Sequence, residues 1–326
     1  MVGFAVIGLG MGKNRAKLIK ETSGAELKVL IDLNTELAEG VGRELETDWT
    51  TNYDEALERK DVDVVLVMTP SGTHADLGIM AAKAEKHVIC TKPMDVSTKA
   101  CDRLIEACTE AGVLCGVDYQ SRYIDNNVRV AEALRQGWLG KPILGEVRFK
   151  WFRAPEYFEA SGGWRGTWAM DGGGSLANQG AHLIDYLLWL MGDAKTVYAE
   201  TDIMNHEIET EDIGLAIVNF VSGAKGSILG TTTFPNEDNY YSAEVHGTEG
   251  AILIDTVLKG ELRVFGEGIE ERLMSVSNSQ HSIVDDVVSA LTEGTPLRVD
   301  GTEGRRTVQL QEAIYRSAKS GLRVNV

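Results

Sequence analysis

Features that would narrow the class of this 326-residue chain by composition alone are scarce. It has only four cysteines, at positions 90, 101, 108 and 115, with no CxxC pair among them. That argues against a zinc site and, in a chain this long with no secretion signal, against a disulfide framework. Cys101 and Cys108 can share a helix face while Cys115 falls in the strand that follows, so their seven-residue spacing reads as accidental. Basic residues are in the minority: 32 Lys and Arg against 49 Asp and Glu leave a formal charge of −17. A broad surface for nucleic acid or an anionic membrane is thereby disfavoured, and only a local basic pocket is left open. Long apolar runs are missing too. The opening "MVGFAVIGLGMGKNR" stays apolar for a few residues before glycines and charges intervene. It fits neither a signal peptide nor a membrane span, and the expected location is the cytoplasm. There is no internal repeat and no low-complexity segment.

What is present is the composition of an ordinary globular protein, 43% hydrophobic and 25% charged, at a length that predicts two domains. Up to about residue 118, short β-branched runs ("GFAVIG", "ELKVLID", "VDVVLVM", "KHVIC", "GVLCGVD") alternate with stretches of helical spacing such as "TKACDRLIEACTEAG". Continuous apolar strands between helices imply a parallel sheet buried on both faces with right-handed crossovers, a doubly wound α/β domain over residues 1–120. From about residue 140 the pattern changes. "ILGEVRFKWF", "AKTVYAETDIM", "DIGLAIVNFV", "AKGSILGTTTF", "YYSAEVHGTEGAILID" and "ELRVFG" predict a large, mostly antiparallel sheet. Two helices, "SLANQGAHLIDYLLWLMG" and "GTEGRRTVQLQEAIYRSAKSG", stand against it. Residues 121–326 therefore read as a second, α+β domain.

"AVIGLGMGKNRAKLI" sets Gly8, Gly10, Met11 and Gly12 between the first strand and a helix. A turn without Cβ atoms lets a pyrophosphate approach the helix N-terminus, where free N–H groups favour negative charge. The spacing is GxGxG, one residue short of GxGxxG, and glycine loops alone are weak evidence. Context strengthens the reading: the second strand ends in Asp32, placed to accept hydrogen bonds from a ribose 2′-hydroxyl, with no arginine before Arg43 to meet a 2′-phosphate. The expected cofactor is NAD in preference to NADP. "TPSGTHADL" follows the central strand, so Thr69, Ser71 and His74 are expected along the same cleft, with turn formation and capping as their ordinary alternative.

"TKP" at 91–93 interrupts the chain between a strand and a helix. A strand-end lysine is ordinarily a solvated charge. Lys92 gains interest because Pro93 fixes its own φ and biases Lys92 toward extended geometry, on the ligand side of a parallel sheet. A partner is available in "WRGTWAMDGGGSLANQGAHLIDYLLWLMG", where Asn178 and His182 lie four apart on a predicted helix and so share a face. A histidine there can take a hydroxyl proton near neutral pH while an adjacent amide orients it. Asp185, one turn on, either bonds a substrate hydroxyl or stabilises the fold; Trp189 reads as core. The acidic run "HEIETED" at 206–212 reads as a solvated connection rather than a metal site through His206.

Together the glycine loop, the Lys-Pro at the fifth strand, Trp164-Arg165 and "GGGSLANQGAHLID" resemble the Gfo/Idh/MocA family of sugar and inositol dehydrogenases across essentially the whole chain. The family's Glu-Lys-Pro corresponds to Thr91-Lys92-Pro93, and its acid-x-Gly-x-His to Asn178, Gly180 and His182, with asparagine where the acid usually stands. The resemblance implies that Lys92, His182 and Asn178 carry the chemistry. Gln120, Trp164 and Arg165, with Lys92, are implied to touch the cofactor, and Arg122 and Tyr123 to lie near the cleft on the substrate side, where the position of Asp185 already makes it a candidate. It also implies a C-terminal helix, about 303–320, that packs back toward the first domain, and a homodimer or homotetramer formed through the sheet.

The leading expectation is an NAD-dependent dehydrogenase acting on a secondary alcohol of a sugar, sugar acid or inositol, with no metal. His182 takes the hydroxyl proton and Lys92 stabilises the developing alkoxide. Two coupled groups titrate as a pair, so the sequence assigns the formal base to neither alone. Two other readings stand beside it: a glycoside hydrolase of the same fold that uses bound NAD transiently, and a non-catalytic sugar or NAD sensor.

Overall fold

The computed structural model describes residues 1–235, 239–255 and 261–326. The chain forms two compact units: Met1–Tyr119 joined by Gln280–Arg305, and Gln120–Ser279 joined by Arg306–Val326.

The first unit is built on six parallel strands, β1 (Val2–Ile7), β2 (Ala25–Ile31), β3 (Asp48–Thr50), β4 (Val64–Val67), β5 (His87–Thr91) and β6 (Cys115–Asp118), in the order β3-β2-β1-β4-β5-β6. β1 and β4 are buried throughout, as expected of strands covered on both faces. The direction of winding reverses between β1 and β4, and a crevice for a ligand opens at the carboxyl ends of strands at such a reversal. β3, "DWT", is absent from the strands expected from sequence because three residues, one of them charged, show no periodicity. The returning segment adds the helix Ile283–Glu293, whose N-terminus is capped by the Ser282 hydroxyl accepting from the Asp285 amide at 3.1 Å. It also places the Val299 carbonyl on the Val117 amide of β6 at 3.1 Å.

The second unit is an eight-stranded sheet of β7 (Pro142–Lys150), β8 (Ala194–Asp202), β9 (Ile213–Phe220), β10 (Lys225–Thr231), β11 (Tyr240–Gly247), β12 (Ala251–Asp255), β13 (Leu262–Phe265) and β14 (Val324–Asn325). Its order is β13-β12-β11-β7-β10-β9-β8-β14, and every pairing is antiparallel except β7 with β10. Burial alternates along β9, as in a sheet with one covered face. The helix Ala181–Met191, apolar on nearly every side, covers that face together with Leu310, Ala313 and Ile314 of the last helix, Gly301–Ser320. On β9 the opposite face leaves Leu215 and Ile217 48% and 55% exposed. The helices Asp125–Arg135 and Ile269–Met274 are further additions to the elements expected from sequence. Among the described residues no helix is long and apolar enough to cross a membrane, and no group of three or more His, Cys, Asp or Glu side chains is arranged to hold a metal ion.

Candidate active site

In the first unit the chain leaves β1 at Gly8, whose φ of +89° suits a residue without a side chain; a Cβ there would stand 2.8 Å from the Met68 backbone. The helix Leu9–Glu21 starts directly afterwards with no acidic residue in its first turn and no side-chain cap. Gly10 faces open space. Asp32 stands just beyond β2 with its carboxylate held by two backbone amides, Leu9 N at 2.7 Å on Oδ2 and Asn34 N at 2.9 Å on Oδ1. Two amides leave carboxylate lone pairs available, so the acid is both oriented and able to accept from a ribose hydroxyl. Asn34 caps the next helix, Thr35–Leu45, and Arg43 on that helix pairs with Glu39 at 2.5 Å. These residues fit a dinucleotide: bare backbone for the pyrophosphate and a fixed acid for the ribose.

The loop after β4 departs from its expected role at His74. Thr69 Oγ1 and Thr73 Oγ1 share a hydrogen bond of 2.7 Å, and Ser71 is buried. His74 is wholly buried, with Nδ1 2.9 Å from the Pro93 carbonyl and Nε2 2.8 Å from the Thr69 carbonyl. Both ring nitrogens are thus occupied by the protein, and the expectation that His74 lines the cofactor cleft is corrected to an internal strut. Lys92 is half-buried at the end of β5, and its bond to Pro93 is cis. Behind it Asp95 accepts the Ala75 amide at 2.8 Å and the Val96 amide at 2.7 Å, which ties the turn to the helix His74–Lys83.

In the second unit the expected continuous helix is two pieces. Ser175–Gln179 is a wider, π-helical turn, and the α-helix Ala181–Met191 begins after Gly180. Asn178 is buried on the turn and its amide Nδ2 donates to Asp171. Asp171 also accepts the Gly166 amide at 2.8 Å. His182, on the first turn of the helix, lines a cavity of about 190 Å³ with Gln120, Ser121, Trp151, Gln179 and Tyr241. The glycine run before the turn is held from the acidic segment. Glu211 accepts Gly174 N at 2.9 Å, Leu176 N at 2.7 Å and the Tyr315 hydroxyl at 3.0 Å. Asp212 accepts the amides of Met204, Asn205 and His206 at 2.8–2.9 Å and faces His206 Nδ1 at 3.0 Å. "HEIETED" is therefore no solvated connection: its last two acids are buried and satisfied by backbone donors.

Arg122 and Asp185, expected at the substrate, are paired with each other and are 2% and 0% exposed. Their charges are spent inside the unit, which corrects that expectation to a structural one. Tyr123 is also buried, and its carbonyl accepts Asn278 Nδ2 at 2.9 Å. Arg165 lies over Trp164 at 4.9 Å and Tyr157 at 4.6 Å, a half-buried cation on aromatic faces.

A doubly wound unit with a glycine turn and a ribose acid, joined to an α+β unit presenting a histidine at a cavity, defines a dinucleotide-dependent enzyme class. Family models place it: one described as "Oxidoreductase family, NAD-binding Rossmann fold" matches residues 2–119, and another, "GFO/IDH/MocA C-terminal domain", matches residues 127–253. The chain belongs to the Gfo/Idh/MocA family. It is 31% identical over 263 residues to scyllo-inositol 2-dehydrogenase (NAD(+)) of Bacillus subtilis, covering 78% of this chain and 73% of that one. It is 26% identical over 336 residues to myo-inositol 2-dehydrogenase of Thermotoga maritima, covering 96% and 95%. The crystal structure of the WlbA dehydrogenase from Bordetella pertussis, in complex with NADH and UDP-GlcNAcA, is 30% identical with a TM-score of 0.91, over 100% of this chain and 97% of that one.

Proposed function

We propose that this protein is an NAD-dependent dehydrogenase that oxidises a secondary alcohol of a sugar, sugar acid or inositol, or reduces the corresponding ketone. The observation that carries the reading is the joint presence of Lys92, held on the turn after β5, and His182, set at a cavity on the first turn of its helix. A sensor has no need of such acid-base groups. Relatives and neighbours named as inositol and sugar dehydrogenases, one of them solved with NADH, support the same class.

Gly8, Gly10, Met11, Gly12 and Asp32 would hold the dinucleotide, with Thr69 and Ser71 contributing, and Gln120, Trp164 and Arg165 are the further cofactor contacts that the family resemblance implies. Bound NAD supplies the hydride acceptor. His182 takes the proton of the reacting hydroxyl, Lys92 hydrogen-bonds the same oxygen and stabilises its developing charge, and Asn178 orients the pair. The fixed Asp32 carboxylate, which would accept from a ribose hydroxyl and repel a 2′-phosphate, supports NAD over NADP. The exposed Leu215 and Ile217 support a homodimer or homotetramer through the outer face of the sheet, and the protein would work in the cytoplasm.

The test is incubation with NAD and a panel of inositols, hexoses, uronic acids, nucleotide-linked sugars and simple glycosides, following NADH and released aglycone separately. Net NADH with one class establishes the dehydrogenase. Aglycone release without net NADH would replace it with the hydrolase, and NAD binding without either product would point to a sensor.

A further inference from the structure

His74 opens the helix His74–Lys83 and is buried, yet both of its ring nitrogens meet backbone carbonyl oxygens, Thr69 at 2.8 Å and Pro93 at 2.9 Å. A neutral imidazole carries one N–H and one lone pair. In either neutral tautomer a lone pair would confront a carbonyl lone pair at hydrogen-bond distance, so only the doubly protonated ring satisfies both contacts. A buried cation needs a counter-charge. Asp95 supplies one: it is buried, it interacts electrostatically with His74, and its own oxygens accept the Ala75 and Val96 amides at 2.8 and 2.7 Å.

The other ionisable groups around this pair are Asp76 on the same helix and Cys90 on β5, both of which interact with Asp95. Burial pulls the His74 pKa below the ordinary histidine value and pushes that of Asp95 above the ordinary carboxylate value, while the Thr69 and Pro93 carbonyls and the mutual attraction of the two charges act in the opposite sense. The paired carbonyls decide the matter on geometry, because deprotonation breaks one of two buried contacts.

We infer that His74 is a positioning residue: carried as an imidazolium against Asp95, it pins the Thr69 loop and the Lys92-Pro93 turn to one another and thereby fixes the backbone from which Lys92 acts. The inference rests on Lys92 having the role proposed above. The two contacts join the loop after β4 to the turn after β5, so the cofactor loop and the lysine turn share one strut.

The strut is read without activity by long-range proton–nitrogen NMR on the full-length protein labelled at histidine, with the His74 signals identified by their loss in His74→Phe. Two protonated ring nitrogens near pH 7 support the inference; one bare nitrogen overturns it. Kinetics supply the second arm. His74→Gly should lose about 10- to 100-fold in kcat, the scale of a misplacement of about 1 Å, with NAD affinity changed much less. Added imidazole should restore turnover, whereas toluene, which fills the space without donating, should not. Equal rescue by both compounds, or wild-type kcat in a folded His74→Phe, would overturn the positioning role. If the wild type itself makes no NADH with any polyol, the proposed activity fails while the NMR result still decides the strut.

Discussion

Arg122 and Asp185 face each other through two parallel hydrogen bonds inside the second unit, Nε to Oδ2 at 2.9 Å and Nη2 to Oδ1 at 2.7 Å. The geometry is bidentate, and Arg122 also lies 5.3 Å over the Trp189 ring. Removing one partner leaves an uncompensated buried charge. Asp185→Asn or Arg122→Met should therefore cost about 3–5 kcal/mol in denaturant unfolding. A stable variant with a raised KM for substrate would instead return these residues to the binding site.

Lys92→Met should lower turnover by about 10²–10⁴-fold, the usual scale of an acid-base or oxyanion contact, with NAD binding retained. Cofactor binding by fluorescence and turnover by NADH absorbance separate the two effects. Turnover near that of the wild type would remove the lysine from the mechanism.

Asp32→Asn keeps the side chain's shape but removes the charge that would accept from the ribose. Hydrogen bonds to charged groups contribute about 1.5–3 kcal/mol, so the KM for NAD should rise about 10- to 100-fold. Initial rates against NAD and NADP, compared in one series, check both the loss and the preference. A variant that binds NAD as tightly as the parent would place the ribose elsewhere.

Asp171 fixes which way the Asn178 amide points, because its Oδ1 accepts from Nδ2. Asp171→Ala should lower kcat by about tenfold through misplacement of that amide, with a smaller change in the KM for NAD. Asn178→Asp in the wild-type background sets a second buried carboxyl against Asp171, so the two would hold a proton between them, and the pH profile of kcat should shift with the titration of that pair. An unchanged profile would take Asn178 out of contact with the proton-transfer groups.

Burial pushes the Asp212 carboxyl up, but the amides of Met204, His206 and Asn205 and the His206 ring outweigh it and hold the group below the usual carboxylate range. A carboxyl depressed in the folded state stabilises fully above its unfolded value of about 3.9 and loses that contribution as the pH falls through the lower folded value. Asp212→Asn should cost about 1–3 kcal/mol at neutral pH and flatten the acid limb of a stability-against-pH curve. An acid limb unaltered by the substitution would assign acid sensitivity to other carboxylates.

The first unit was legible because its strands are continuous apolar runs separated by helices, and Lys92 and His182 drew notice through the motifs around them. What the sequence hid was partnership over distance. Nothing local tells Arg122 that its acid lies 63 residues on, nor Glu211 that its donors are the amides of Gly174 and Leu176. A run of acids reads as solvent-facing when counted as side chains; backbone donors brought by the fold reversed that reading. The helix Ile283–Glu293 carries three valines, and its residues cluster with the N-terminal unit in a way no local pattern announces.

That return of the chain constrains how genes for such a protein can recombine. A single crossover near codon 120 would pass on β6 without the segment that supplies Val299 to Val117 and places Leu297 against Gly116. The inherited half-protein would have an uncovered strand at the edge of its sheet. Exchange of an intact cofactor-binding unit between lineages therefore requires three breakpoints, near codons 120, 280 and 306, because Arg306–Val326 returns to the second unit, where Leu310, Ala313 and Ile314 join its core.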